Sequence, residues 1–425
     1  MRKFLFLTMV ALLSVGTLSA QSRALRDARR ALQRNDLSEA RTLTQQAANH
    51  PETANDPNLW RLIGDIGNAT FDAQFTRQML GQDANERQMF EGLLDSFAPY
   101  IKADSLGQIP DARGRVRNPV RRDITGIMRV NHQHLINAGI FFSESGNHAR
   151  AADAFEWFWN IPSLPMFEGA NVFQIDETFQ IIKYYAVISA LQADQDDRAL
   201  AMMQRILDEQ PFIPNDHYTE AQIFELMAST YAQLGNQERF NQTIQAGATR
   251  FPNSEFLALN YIHYLITNDQ IPAAMTYINN AVANHPELSC ELISVKGSLL
   301  IDAGDIEGAE AEFRRALAIA PYCESALESL ARSIIVRAQE VREVSWTLPR
   351  AEQIANDQVV RETYQAALPL LETLDTVLRG RDATQSEQNT VLMLLRNVYY
   401  NLSLLGIDKS SQLSAVEARL PEHML

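Results

Sequence analysis

Cysteine is nearly absent from this chain of 425 residues, which carries only Cys290 and Cys323. Two cysteines exclude a disulfide-dense scaffold and a cysteine-rich metal cluster. Glycine is sparse, at 18, and no alternation of apolar and polar residues persists long enough for a strand, so the periodicity predicts an all-α chain. Positive charge is in deficit. Lys and Arg total 37 against 52 Asp and Glu, giving a formal net charge of −15. A general nucleic-acid binder needs a basic footprint, so this balance argues against one. Long hydrophobic runs are missing after the first twenty residues. The longest candidate, residues 181–191, carries Lys183 near its start and falls short of the ~20 apolar residues that a span needs. No zinc-protease HExxH, hydrolase GxSxG, SxxK or phosphate-binding P-loop string occurs. No motif therefore points to an enzyme, a cofactor or a metal.

What is present begins with an export-type N-terminus. Arg2 and Lys3 precede an apolar run from Phe4 to Leu13, and small residues end at Leu18-Ser19-Ala20. This reads as a secretory signal peptide cleaved before Gln21, leaving no integral membrane segment. No cysteine stands at the cleavage point to carry a lipid. Arg2 and Lys3 are the only charges in residues 1–20, so cleavage takes the net charge from −15 to −17.

The stretch that sets the architecture is 293–321. Gly297 lies mid-helix, Leu300 follows one turn on, and Gly304 marks a turn. Then come Ala309, Phe313 and Ala316, and Pro321 ends the segment. These spacings predict two antiparallel helices packed closely at Gly297 and Ala309, with Phe313 in the seam. Leu135, Gly139, Phe142, Gly146, Ala151 and Phe155 stand at the same offsets. Pro211, Pro252, Pro286 and Pro321 end successive units, and Pro252 and Pro286 are 34 residues apart.

That pattern and period resemble the tetratricopeptide repeat. The resemblance implies a right-handed α-solenoid of stacked helix-turn-helix units, whose concave face is lined by the first helix of each pair. The expected order is a signal peptide (1–20), divergent repeat-like helices (21–105), a basic irregular linker (106–123), a regular array (124–323), and divergent helices with a cap (324–425). Extra segments are expected at 71–87 and 341–359, where second helices arrive late. The cleavage context and delayed helices are similar to exported repeat proteins of Bacteroidetes-type Gram-negative bacteria, which implies the periplasm.

Projected onto this repeat, Tyr184, Ile188, Glu225, Ser229, Leu259, His263, Ser294 and Ser298 fall on first-helix faces. Their mixture of one acid, hydroxyls and apolar groups suits a protein or peptide segment, not a nucleic acid. The expectation is an exported, non-catalytic scaffold. The alternative is a carbohydrate-binding envelope protein using Trp157 and Trp159 as an aromatic platform. Arg113, Arg115, Arg117, Arg121 and Arg122 form the one basic patch, either a solvated loop or a dock for an acidic partner surface. His132 and His134, two apart on a helix, point to different sides and would not share a metal. Asp194, Asp196, Asp197, Asp302 and Asp305 fit turn and cap duty. Cys290 and Cys323, one repeat apart, are either a disulfide or two half-buried free thiols.

Overall fold

The structure is a computed structural model that describes residues 23–51, 53–284 and 289–424. The signal peptide expected at 1–20 and the unit-ending Pro286 lie outside the described residues. Among those residues there is no strand, and helices occur in antiparallel pairs. The chain divides into two compact units at Thr230/Tyr231, inside one helix.

The first unit holds α1 (23–33), α2 (Leu37–Ala48), α3 (Pro57–Met79), α4 (Glu86–Gly107), α5 (Arg121–Asn131), α6 (His134–Glu144), α7 (His148–Asn160), α8 (Glu177–Gln192), α9 (Asp196–Asp208) and most of α10 (Glu220–Gln233). The second holds α11 (Gln237–Arg250), α12 (Glu255–Thr267), α13 (Ile271–Asn284), α14 (Ser289–Asp302), α15 (Ile306–Ile319), α16 (Glu324–Ser345), α17 (Arg350–Gly380), α18 (Gln385–Leu404) and α19 (Ser410–Glu417).

One local rule closes four of the pairs. The first helix ends on a residue with positive φ, and an Asn or Asp then caps the second. Gly146-Asn147, Gly235-Asn236, Gly304-Asp305 and Asn35-Asp36 all follow it, with φ between 60° and 83° at the first member. Each of the four caps accepts a backbone N–H from the first turn of its helix. Asp305 thus does the capping duty its position predicted. So short a turn forces the second helix back along the first.

Packing then follows from size. A methyl group built on Gly297 would overlap the ring of Phe313, one on Gly139 the ring of Phe155, and one on Gly64 the ring of Tyr100. These rings are buried, so the mid-helix glycine is a socket for an aromatic side chain from the paired helix. Ala309 and Ala316 are likewise fully buried beside Phe313. Burying one such ring contributes about 2–3 kcal/mol.

The expected insertions take a different form. Residues 71–79 continue α3, and α4 begins at Glu86, so the pair is lengthened rather than interrupted. Phe71 is fully buried and stacks on Phe75 at 5.3 Å. Likewise α16 runs to Ser345 and α17 starts at Arg350, ahead of the late helix expected from Val359. The basic linker shrinks too, since α4 extends through Gly107 and α5 starts at Arg121.

Candidate functional site

In the first unit, α8 places Tyr184 and Ile188 one turn apart, and α10 does the same for Glu225 and Ser229. All four are half-buried. The Tyr184 ring stacks on the buried ring of Tyr218 at 4.6 Å. Tyr218 is fixed in turn: its hydroxyl donates to the carbonyl of Gln180 at 3.0 Å, and its own N–H donates to the Asn215 side chain at 3.0 Å. Tyr185, exposed on the same helix, lies with its hydroxyl 3.2 Å from His217 Nδ1. Burial raises the Tyr184 phenol above its ordinary pKa, with the neighbouring Tyr185 adding to the shift, so it stays a neutral hydrogen-bonding group.

Beneath this face lies an ionic knot that sequence reasoning missed. Lys183 is only 5 % exposed, and its Nζ donates to Glu209 Oε2 at 2.7 Å. Trp159 Nε1 donates to the same oxygen at 2.9 Å, and Arg205 Nε donates to Oε1 at 2.7 Å. Burial acts to raise the Glu209 pKa, but Lys183, Trp159 and Arg205 outweigh it and hold the carboxyl below its ordinary value. The available signal was a lone lysine inside an otherwise apolar helix, which implies a buried anion to meet it.

Trp159 is therefore core, 2 % exposed, with the Arg205 guanidinium 4.0 Å from its ring centre. Trp157 is half-buried against Phe97, the rings 6.1 Å apart. The expected glycan platform is corrected on this point. The two indoles form no shared exposed plane, because their helix uses them to pack against α4 and to anchor Glu209.

In the second unit, α12 carries half-buried Leu259 and exposed His263, and α14 carries exposed Ser298. Ser294 departs from its expected place. It is 3 % exposed, donates to the Cys290 carbonyl at 2.8 Å, and is closed off by Cys323, whose sulfur lies 3.9 Å away. The reason is a disulfide between Cys290 and Cys323, with a Cα–Cα distance of 6.3 Å. It draws the start of α16 onto the start of α14, covering the first turn of the face. Tyr184, Ile188, Glu225 and Ser229 belong to the first unit, and Leu259, His263, Ser294 and Ser298 to the second.

The five arginines also separate. Arg121 makes a two-pronged bond to Asp104, at 2.7 and 2.8 Å, and Asp104 is buried. Arg115 pairs with Asp111 at 3.2 Å. Among the described residues Arg113, Arg117 and Arg122 are exposed and make no ion pair. His132 and His134 face different elements. His132 is buried with its ring 4.1 Å from that of Phe158 and its Nε2 2.8 Å from the Phe158 carbonyl, whereas His134 packs on Phe71 and Phe75. Among the described residues the one cluster with metal-ligating spacing is Cys290, Glu291 and Cys323, and the disulfide occupies both sulfurs.

No protein-family model and no curated protein matches this sequence. Solved structures do. The C-terminal part of a TPR repeat-containing protein from Cytophaga hutchinsonii is 14 % identical, covers 67 % of this chain and 93 % of its own, and superposes with a TM-score of 0.39. A tetratricopeptide repeat protein from Parabacteroides merdae is 13 % identical over 74 % of this chain and 99 % of its own, at 0.24. Yeast Tom70 is 10 % identical over 94 % and 96 %, at 0.26. The weight rests on the chain itself: helix pairs closed by positive-φ turns, with glycine sockets taking aromatic side chains. The fold is an all-α helical repeat, similar to these tetratricopeptide repeat proteins.

Proposed function

We propose that this protein is an exported, non-catalytic scaffold that holds a segment of a partner protein against its first-helix faces in the periplasm. The observation that carries the reading is Tyr184, part-exposed on α8 with its ring stacked on the buried ring of Tyr218 at 4.6 Å. Ile188, one turn further along α8, and Glu225 and Ser229 on α10 are also partly open to solvent. A preset aromatic suits an extended peptide, because the order it needs is already in place. The export-type N-terminus and the Cys290–Cys323 bond support an oxidising compartment.

The test is site-specific photo-crosslinking in cells. A benzophenone amino acid is placed at Ile188, Ser229 or Ser298, and as a control at Gln204 or Gln245, exposed on second helices. Discrete protein adducts from the first three and none from the controls are expected. Equal adducts from both sets would remove the assignment to the first-helix faces.

A further inference from the structure

The segment between α4 and α5 is an ordered turn, not a slack linker. The N–H of Asp111 donates to the Arg115 carbonyl at 2.9 Å, and the N–H of Gly114 donates to the Asp111 carbonyl at 2.8 Å. The Asp111 carboxylate also accepts from the N–H groups of Arg113 and Arg115, at 2.8 and 3.0 Å. At the tip Gly114 has φ 71°, and a Cβ built there would meet nothing within 4 Å. The turn therefore projects away from the helices. Its two legs carry Ile109 and Val116, which are 64 % and 50 % exposed.

The nearby carboxylates are already committed. Asp104 holds Arg121 and Asp111 holds Arg115, so the positive charge of Arg113, Arg117 and Arg122 goes unanswered in a chain of net charge −15. Exposed aliphatic side chains interleaved with unpaired arginines on a projecting turn match a bilayer interface. There the apolar groups enter the acyl boundary and guanidinium groups lie at the phosphates. Ile109 and Val116 lie exposed on the same turn as the arginines, so its contact must take aliphatic groups and cations together, as the boundary between acyl chains and phosphates does. The projecting shape also presents no recess to hold a peptide.

We propose that residues 108–122 form a docking point for an anionic lipid surface, orienting this otherwise acidic chain against a membrane without spanning it. The probe is flotation of the purified mature chain, residues 21–425, with phosphatidylcholine vesicles, with and without phosphatidylglycerol. Partition onto the anionic vesicles only is expected. Replacing Arg113, Arg117 and Arg122 together by Glu lowers it by more than about a hundredfold, since the loss of three cations near an anionic membrane alone accounts for that much. Ile109→Ser with Val116→Ser weakens it at unchanged charge. All five side chains are exposed, and circular dichroism checks that each variant stays folded.

Several outcomes overturn the proposal. One is no partition onto anionic vesicles. Another is equal loss when Arg23, Arg26 and Arg29 on α1 are reversed instead, which would make the effect one of bulk charge. A third is dependence on the arginines with indifference to Ile109 and Val116, together with equal binding to soluble polyglutamate. That result would assign the turn to an acidic macromolecule.

Discussion

Gly297 and Phe313 show how much a single position decides. The phenyl ring occupies the space where a side chain on Gly297 would begin, and both residues are buried. Gly297→Ala must push the ring or the helix aside, at a cost of about 1–3 kcal/mol. Expected is a lower urea midpoint for Gly297→Ala, partly restored by adding Phe313→Leu. If the double variant is no better than the sum of the singles, the socket is not where the strain lies. His132 decides differently. Burial depresses its pKa below 6.5, with the Phe158 carbonyl opposing the shift, so the folded chain keeps it neutral. The unfolded chain takes up a proton near 6.5 and the folded chain only lower. The stability tied to neutral His132 is therefore present above 6.5 and lost as pH falls toward the folded pKa. His134 shifts the same way through burial, with Asp72 opposing. Replacing His132 with Gln should flatten the fall in unfolding free energy across this window, leaving the part due to His134. An unchanged slope would show that His132 titrates normally.

At the scale of elements, sequence and structure meet where the physics is local. The turn residue, its following cap, the mid-helix glycine and the aromatic that fills it lie within one hairpin, so Gly297, Gly304, Asp305, Ala309 and Phe313 could be read directly. Helix length could not. Residues 65–79 contain no proline, and α3 runs on through the Gly67-Asn68 pair, so an expectation of repeat-sized helices put an insertion where the helix simply continues. Ser294 failed for a tertiary reason. Its place on α14 was right, but the burial comes from α16, which the disulfide holds against it. Lys183 failed likewise, its partner Glu209 lying 26 residues on. The disulfide makes a prediction on this scale. It bridges residues 33 apart, and closing a loop of that length removes unfolded-chain entropy equivalent to about 4 kcal/mol. Cys290→Ser with Cys323→Ser should lower the denaturation midpoint and speed amide exchange in α14 and α16 first. Uniform exchange loss across the second unit would mean that the bond supports more than this pair.

For the molecule as a whole, compartment and chemistry are linked through the same two cysteines. The export reading rests on Arg2, Lys3 and the apolar run that follows, and the disulfide is an independent expectation of an oxidising site. In a reducing cytosol the Cys290–Cys323 bond would be opposed, and the stabilisation argued above would be missing from the chain. The two can be tested together. Protein recovered from its own cells after acid quenching should begin at Gln21 and show no thiol labelling by maleimide until reduced. The same chain expressed without residues 1–20 should remain in the cytosol, label at both cysteines, and unfold at a lower temperature that oxidation restores. A cell-derived chain that keeps its first twenty residues and labels freely would remove the periplasmic assignment. The repeat fold would stand, and the partner would have to be sought in the cytosol.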